Sequence, residues 1–529
     1  MWSLLVLATA VASTTAASVT NDTLTVCKYL QGKYPNYFAW DPLGPKGFLA
    51  SNASVYNDIN SIYWNAKNSQ LRAACAFFPS NAQQVSDAVI TLNKYPSVRF
   101  ALKSGGHQPA PGFSATDGGV IISFEPNLAS TVRSQDGKHF FIGPGARWGD
   151  VYNVTGRTNQ LVVGGRLAHI GVGGLTLGGG LSYLSAQYGL ACDNVDEFEV
   201  VLANGTITNA NRTQNKELWW SLRGGGNQFA IVTRFKTQAH PAGMNGLVWG
   251  GTRIYSADQR RALFSALTNF TRNVPDSKAA VISTFQFTGP GAAIKVPLFF
   301  FFYDGPKPPP GVFDEFDAIK STSNDTDTKT YYALSQSAGG ASLNGFGNSF
   351  RVNTVPNLPH DQMVQYYDAY WNITESQAFN NSVTNLLDFQ LIGFDAQPLP
   401  VQIAQASQAQ GGNALGLDPA HGDRVWVEND FLWSNKLCND KCPEYSRHMS
   451  DLALDYQKQN YAGVPPTNYQ SGDLDWISYN PLFMNDAAPY QDVYTSYGSE
   501  NLARLQAAKK AYDPTGFFTN RQGGFKLPA

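Results

Sequence analysis

The chain predicts an α+β fold built in two packed parts. Two observations carry this. Residues 71–241 alternate short strand patterns with few helices. From about residue 243 the texture changes, and longer strand-like runs alternate with amphipathic helical ones, the pattern of an antiparallel sheet with helices on one side. A chain of 529 residues also exceeds what one hydrophobic core usually supports.

The elements follow in order. Pro79-Ser80 precede NAQQVSDAVITLNKY, which predicts a helix with Ser80 and Gln83 as a capping box and Val85, Ala88, Val89 and Leu92 on one face. RFALKSGGH is a short strand running into a glycine turn. GGVIISF (118–124) and HFFIGPGARWGDVY (139–152) read as strands joined by a turn at Asp136-Gly137. VDEFEVVLANGTITNAN (195–211) is a hairpin with Asn204-Gly205 at its tip, and FAIVTRFKTQAHP (229–241) is a further strand ended by proline. In the second part LVWGGTRIY, AVISTFQF, IKVPLFFFFY and VWVENDFLW read as strands. ADQRRALFSALTNFT (257–271) is a helix with Leu263, Ala266, Leu267 and Phe270 on one face. SENLARLQAAKKAY is a last helix stopped by Asp513-Pro514. No internal repeat is visible.

Composition narrows the function. Hydrophobic residues make up 43% and charged residues 15%, with a net charge of −2 and no long basic run, so a nucleic acid or anionic membrane has no electrostatic support. The 13% aromatic content suits a large β-rich core first, and a flat apolar ligand second. The N-terminus, MWSLLVLATAVASTTAAS, has an apolar run from Leu4 to Ala12 and then small residues, so residues 1–17 read as a signal peptide despite lacking a basic start. The run is too short to span a bilayer. Sequons at Asn21, Asn52, Asn153, Asn204, Asn211, Asn269, Asn324, Asn372 and Asn380 agree with a secreted, extracellular glycoprotein.

The five cysteines fit two bridges and one thiol in an oxidising compartment. Cys438 with Cys442 would close a tight local loop, and Cys27 with Cys75 would tie an N-terminal arm to the next domain. Cys192 is then a buried small apolar residue. Cys438, Cys442 and His448 make a poor zinc site with no fourth ligand, and no metal is expected.

Three glycine clusters carry the chemistry: KSGGHQPAPGF from Lys103, the stretch Gly171 to Gly180, and Arg223-Gly224-Gly225-Gly226-Asn227. Glycine lets backbone amides approach a ligand, and successive amides form anion-binding nests. One cluster is a turn; three in one domain point to a pyrophosphate-bearing cofactor. GVGGLT lacks the third glycine of a dinucleotide-binding βαβ unit, and no distal acidic ribose ligand follows, so the cradle is not of that kind.

Together the stretches KSGGHQPAPGFSATDGGVIISF, IGPGARWGDVY, GVGGLTLGGGLSYLSAQYGLACDNV, LRGGGNQFAIVTRF, LFMNDA, YDPTGFF and GGFKLP resemble the flavin oxidases of the vanillyl-alcohol oxidase type. The resemblance is to the berberine-bridge-enzyme-like branch of secreted fungal FAD-linked oxidoreductases, and it covers nearly the whole mature chain. It implies a two-subdomain PCMH-type FAD-binding domain (71–242) after an N-terminal arm (18–70). A substrate domain (243–470) would follow, then a C-terminal segment (471–529) that returns to the FAD domain.

The resemblance also implies roles, residue by residue. His107 would bond to the 8α-methyl of FAD. The loop Lys103, Ser104, Gly105, Gly106, His107 and Gln108 would cover the pyrophosphate, with Lys103 where relatives usually carry arginine. Gly171, Val172, Gly173, Gly174, Thr176, Gly178, Gly179 and Gly180 would wrap the diphosphate and ribityl chain. Ile231 and Val232 would lie against the cofactor through backbone groups, and Asn485 would contact the flavin. Members with a second flavin bond carry a cysteine where this chain has Arg166-Leu167-Ala168-His169, so a single bond is expected. His169 itself reads as structural.

The base is less legible. Where relatives often carry Asn-Tyr this chain has Asn485-Asp486, so a tyrosine base at that position is out. Asp486 serves as base if desolvated, or else as a loop carboxylate, with Tyr183, Tyr479 and Gln397 as further pocket candidates. The implied function is a secreted oxidase that takes a hydride from an alcohol or sugar hydroxyl and passes electrons to O2, giving H2O2. An oxidative cyclase or dehydrogenase of secondary metabolism is the alternative. A carbohydrate-binding glycoprotein without flavin is the reading from another class, and His107 argues against it. The expected partners are a small-molecule substrate and O2, with no nucleic acid and no stable membrane association, the chain acting as a monomer.

Overall fold

The structure is a computed structural model, and it describes residues 19–47, 52–273, 276–337, 345–384, 388, 390–474 and 479–528. The stretch 1–17, expected to be a signal peptide, lies outside the described residues. The fold is α+β, as expected.

The first part holds two main sheets and a two-stranded pair, Gln160–Leu161 with His240–Pro241. One has four strands in the order Phe38–Trp40, Cys75–Phe77, Val120–Ser123 and Phe100–Lys103, antiparallel at the first pair and parallel at the other two. Residues 18–70 thus contribute a strand to this sheet. The other has five antiparallel strands in the order Thr131–Arg133, His139–Ile142, Ile231–Gln238, Val195–Val201 and Ile207–Asn211. The helix Ala82–Asn93 buries Val85, Ala88, Val89 and Leu92 between them. Its cap sits one residue later than expected: Asn81 accepts from the Gln84 amide at 3.0 Å, and Gln84 accepts from the Ser80 amide at 2.8 Å. Asn81 wins because its side chain stands at the residue whose extended backbone opens the helix.

The Asp136-Gly137 turn also needs correction. It joins Thr131–Arg133 to His139–Ile142, while 120–123 lies in the other sheet. RWGDVY is not strand: Trp148–Thr155 is a helix burying Trp148, Val151 and Tyr152. That 3–4 spacing is helical, and the preceding Gly143-Pro144-Gly145 ends the strand.

The second part is one antiparallel sheet whose path runs Ser321–Asn324, Leu247–Tyr255, Ile294–Tyr303, Ala279–Thr288, Gln390–Leu399, Arg424–Trp433 and Gly347–Pro356. Side chains alternate between its faces. One face buries Phe285, Phe287, Phe299, Phe301, Phe394 and Phe431 against the helices Arg260–Asn273, His360–Thr384 and Cys442–Tyr461. Each such burial stabilises by roughly 1.5–3 kcal/mol. The other face carries Ile282, Thr284, Gln286, Leu298, Phe300, Asp395, Gln397, Glu428 and Asp430, and looks into a cavity shared with the first part.

The C-terminal segment packs back on the first part. Arg521 donates to the carbonyls of Leu92, Tyr95 and Val98, and Phe517 and Phe518 enter the core of the four-stranded sheet. Cys27–Cys75 and Cys438–Cys442 are disulfides, and Cys192 is a buried thiol.

Candidate active site

A cavity of about 490 Å³ connects the two parts. Its first-domain end is made by glycine loops meeting backbone to backbone. A Cβ on Gly105 would lie 2.5 Å from the Gly171 nitrogen, and one on Gly171 would lie 2.3 Å from that of Gly105. Ser104 stitches them: its hydroxyl donates to the Pro144 carbonyl at 2.6 Å and accepts from the Gly173 amide at 3.2 Å. A Cβ on Gly174 would meet no protein atom within 4 Å, so this backbone faces the open channel. Gly226, with φ +77, brings the third glycine cluster to the same wall. Asn485 ties the far side. Its side-chain oxygen accepts from the Gly180 amide at 3.1 Å, and its amide donates to the Gly174 and Leu175 carbonyls.

His107 lies on this wall in a fixed setting. The Gly106 carbonyl accepts from the Trp64 amide at 3.0 Å, Asn65 donates to the Pro109 carbonyl at 2.8 Å, and the Gly112 amide donates to Asn68 at 2.9 Å. The indole of Trp64 stacks on the imidazole at 4.5 Å between centroids. Nε2 of His107 lies 3.2 Å from Nε2 of His169. Burial, then the neighbouring His169 and Arg147, hold His107 well below the ordinary histidine range, so the ring is neutral at pH 7.

Carboxylates gather at the opposite end. Asp395 and Glu428 are cross-strand partners, and Asp430 follows Glu428 on the same face. Asp486 reaches them from the short turn Met484–Asp486. Gln397 donates to Asp486 at 2.8 Å, and Arg166 donates to Gln397 at 2.7 Å. Glu428 is hydrogen-bonded to Asp486. Arg166 is the only cationic side chain lining this end among the described residues.

Burial dominates the protonation here. It raises Asp395 to about 7, helped by Asp486 and opposed by a Thr284 hydrogen bond and Arg166. It raises Glu428 well above the carboxylate range, reinforced by Asp486, Asp395 and Asp430. It raises Asp430 likewise, with Asp395 adding, and raises Asp486 against the hydrogen bond from Gln397 and the charge of Arg166. Asp395, Glu428 and Asp486 titrate as a set. Gln397, Arg166 and Glu428 all favour the ionised form of Asp486 against the burial that raises it.

The structure brings most of the expected residues to this cavity. Ser104, Gly105, Gly106, His107, Gln108, Gly171, Gly173, Gly174, Gly178, Val232, Asn485, Asp486, Tyr183 and Gln397 all line it. Others stand elsewhere. The fully buried Lys103 lies over the Tyr63 ring at 4.8 Å, beneath the loop, so its ammonium does not face the channel. Ile231 is core between the sheets. Val172, Thr176, Gly179 and Gly180 sit behind the lining and shape it. Tyr479 is corrected outright: its hydroxyl accepts from the Asp418 amide at 2.7 Å and its ring stacks on His421, outside the cavity.

Sequence reasoning missed Asp395, Glu428, Asp430 and the role of Arg166. A signal existed, since VWVENDFLW places Glu428 and Asp430 two apart among apolar residues that a half-buried strand turns to the other face. Among the described residues no group of three or more His, Cys, Asp or Glu is arranged to hold a metal ion.

Sequence and fold comparisons agree on the class. Residues 73–211 match the family "FAD binding domain" and residues 467–523 match "Berberine and berberine like". An uncharacterized FAD-linked oxidoreductase of Arthroderma benhamiae is 33% identical over 481 residues, covering 90% of this chain and 91% of its own. An FAD-dependent monooxygenase of Aspergillus calidoustus is 31% identical over 490 residues, covering 89% and 87%. The fold is also that of 6-hydroxy-D-nicotine oxidase from Arthrobacter nicotinovorans, with a TM-score of 0.69 at 18% identity over 90% of this chain and 96% of that one. Glucooligosaccharide oxidase from Acremonium strictum, described with a 6-S-cysteinyl, 8α-N1-histidyl FAD, gives 0.64 at 19% identity over 89% and 94%.

The molecule is therefore an FAD-linked oxidoreductase. Within that class, this chain belongs to the berberine-bridge-like family of fungal FAD-linked oxidoreductases. That sets aside the non-catalytic reading.

Proposed function

We propose that this protein is a secreted oxidase that removes a hydride from a hydroxyl-bearing carbon of a small molecule, using FAD bonded to His107 alone and returning electrons to O2 as H2O2. The observation that carries this is the one continuous cavity, with the glycine cradle and His107 at one end and the carboxylates at the other. The cradle fits the cofactor: Ser104 to Gln108, Gly171 to Gly174 and Asn485 would hold it through backbone amides and the asparagine. Bound FAD supplies hydride acceptance and reoxidation by O2.

The residues of the chain do the rest. Asp486 accepts the hydroxyl proton; Gln397 and, behind it, Arg166 hold its carboxylate in place. Tyr183, stacked on Phe302, walls the site, and Ile282, Leu298 and Phe300 keep water out. A histidyl link is supported by the corresponding FAD of the glucooligosaccharide oxidase. The absence of cysteine from Arg166-Leu167-Ala168-His169 supports a single link. Peroxide release over a panel of sugars and alcohols tests the reading. Turnover of at least one hydroxyl substrate is expected, and silence across the panel overturns it.

A biosynthetic dehydrogenase or cyclase acting on an aromatic metabolite is the second reading. It is favoured by the apolar wall of Ile282, Leu298, Phe300 and Phe350 and by the naming of relatives as FAD-dependent monooxygenases. We further propose glycans at Asn21, Asn153, Asn204, Asn324, Asn372 and Asn380, which are exposed. Asn52, Asn211 and Asn269 use their side-chain amides internally.

A further inference from the structure

The apolar wall of the cavity continues beyond the side chains that close the site. We infer that the substrate is an amphiphile: an alcohol whose hydroxyl end lies at the carboxylates and whose apolar chain crosses Leu298 and runs out past Val296 to Ile294. The inference rests on the proposed hydroxyl oxidation, which puts the reacting end at Asp486.

Sheet register sets a gradient from acid to apolar. Glu428, Asp395, Thr284, Leu298 and Ile254 are successive cross-strand partners on five neighbouring strands. Partners in such a row share a face of the sheet. The row therefore passes from two carboxyl groups, through one hydroxyl, to two aliphatic side chains. At about 4.8 Å between strands, Asp395 and Leu298 stand roughly 10 Å apart.

One strand then carries the apolar surface outward. Ile294–Tyr303 pairs with Ala279–Thr288 in unbroken register, so Phe300, Leu298, Val296 and Ile294 lie on the cavity face. The opposite face belongs to the helices: Lys295 pairs with Glu375, and Phe299 and Phe301 are core. Leu298 to Ile294 covers about 14 Å at the rise of a strand. Leu298 and Gln286, the partner of Val296, line the cavity, so the strip is the cavity's own wall extended and not a separate patch.

Nothing in the protein uses this surface. Ile254, Leu298 and Val296 are partly exposed and Ile294 is 55% exposed, and none of the four joins a hydrophobic core cluster among the described residues. A sugar chain on this route would lay its hydroxyls along a strand that offers them no polar side chain on that face, and desolvated hydroxyls without partners are costly. An apolar chain gains affinity instead, by about 2- to 4-fold for each methylene it buries, the lower figure for a chain covered on one side.

The test uses the oxidised holoenzyme and the methyl ethers of butanol, octanol and dodecanol, which have no hydroxyl proton to lose. Affinity is read from the change in flavin absorbance. The octyl chain is long enough to reach Leu298, and the dodecyl chain long enough to reach Val296. Affinity should rise about 15- to 250-fold at each step of four methylenes. The double variant Ile294→Thr with Val296→Thr keeps branched, strand-favouring side chains and should lose most of the step from octyl to dodecyl. Ile294→Val with Val296→Ile, which stays apolar, should keep it. Affinity independent of chain length, as expected if the strip docks another protein, overturns the inference. So does an undiminished step in the threonine variant, or its equal loss in both variants. If the ethers show the gain while none of the three alcohols bleaches the flavin without air, the hydroxyl-oxidation reading fails and the apolar chain site stands.

Discussion

Asp486→Asn isolates the proposed base. The substitution keeps volume, and the new amide oxygen still accepts from Gln397, whose bond to Asp486 is 2.8 Å. Only the ability to take a proton is lost. A positioned base is worth about 10²- to 10⁴-fold, or roughly 3–5 kcal/mol of barrier. The positioning bond is worth less: a hydrogen bond to a charged group contributes about 1.5–3 kcal/mol, so Gln397→Ala should slow the same step by roughly 10- to 150-fold. The assay is anaerobic rapid mixing with substrate, following bleaching of the flavin, so that reoxidation does not enter. The pH dependence adds a sign. Burial raises Asp486 from its ordinary value, and the ionised form is the active one. Reduction should be slow in acid and accelerate as pH rises through that raised value, whereas Asp486→Asn should be slow and flat. An Asp486→Asn enzyme that reduces its flavin at the wild-type rate would refute the reasoning.

Four further outcomes follow. Arg166→Met removes the charge that lowers Asp395, Glu428 and Asp486, so the activity profile should move to higher pH with partial recovery in alkali; an unmoved profile would show that Arg166 does not act on the cluster. Asp395 is raised to about 7 when folded and is ordinary when unfolded, so its contribution favours folding below the unfolded value and is lost as pH rises through 7. Asp395→Asn should therefore match wild-type stability near pH 4 and exceed it above pH 7, by on the order of 4 kcal/mol at most, in denaturant titrations. Arg223→Met strands the buried Asp193 carboxylate 3.0 Å from where the guanidinium stood and should cost roughly 3–5 kcal/mol of stability without altering the pH profile of activity. Asn485→Ala, made in a His107→Ala background, should weaken FAD binding measured by fluorescence titration, because three backbone contacts of the glycine loop are lost.

The legible parts of the sequence were those with short-range causes. Alternation revealed the strands of both parts, and helical spacing revealed Ala82–Asn93 and Arg260–Asn273. The glycine clusters announced a cradle because tight backbone approach needs glycine locally. Errors arose where local rules competed. Trp148–Thr155 begins a short glycine turn after a strand and was absorbed into it, and Asn81 took the cap from its neighbour Ser80.

The carboxylate end was less legible because it is assembled at long range. Asp395, Glu428 and Asp486 come from two strands and a distant turn, and only the sheet register puts Asp395 opposite Glu428. Tyr479 shows the converse: a tyrosine near Asp486 in sequence is turned away by its stack on His421. His169 reads as structural from sequence alone because its partner is His107, sixty-two positions away.

The most direct test of the central claim is the mass of the peptide carrying His107. The protein is denatured in acid, digested and examined for flavin. The account predicts that FAD stays with the polypeptide and maps to the peptide containing His107, with His107→Ala releasing it. Flavin freed by denaturing the wild-type protein, or found on any other residue, would contradict it.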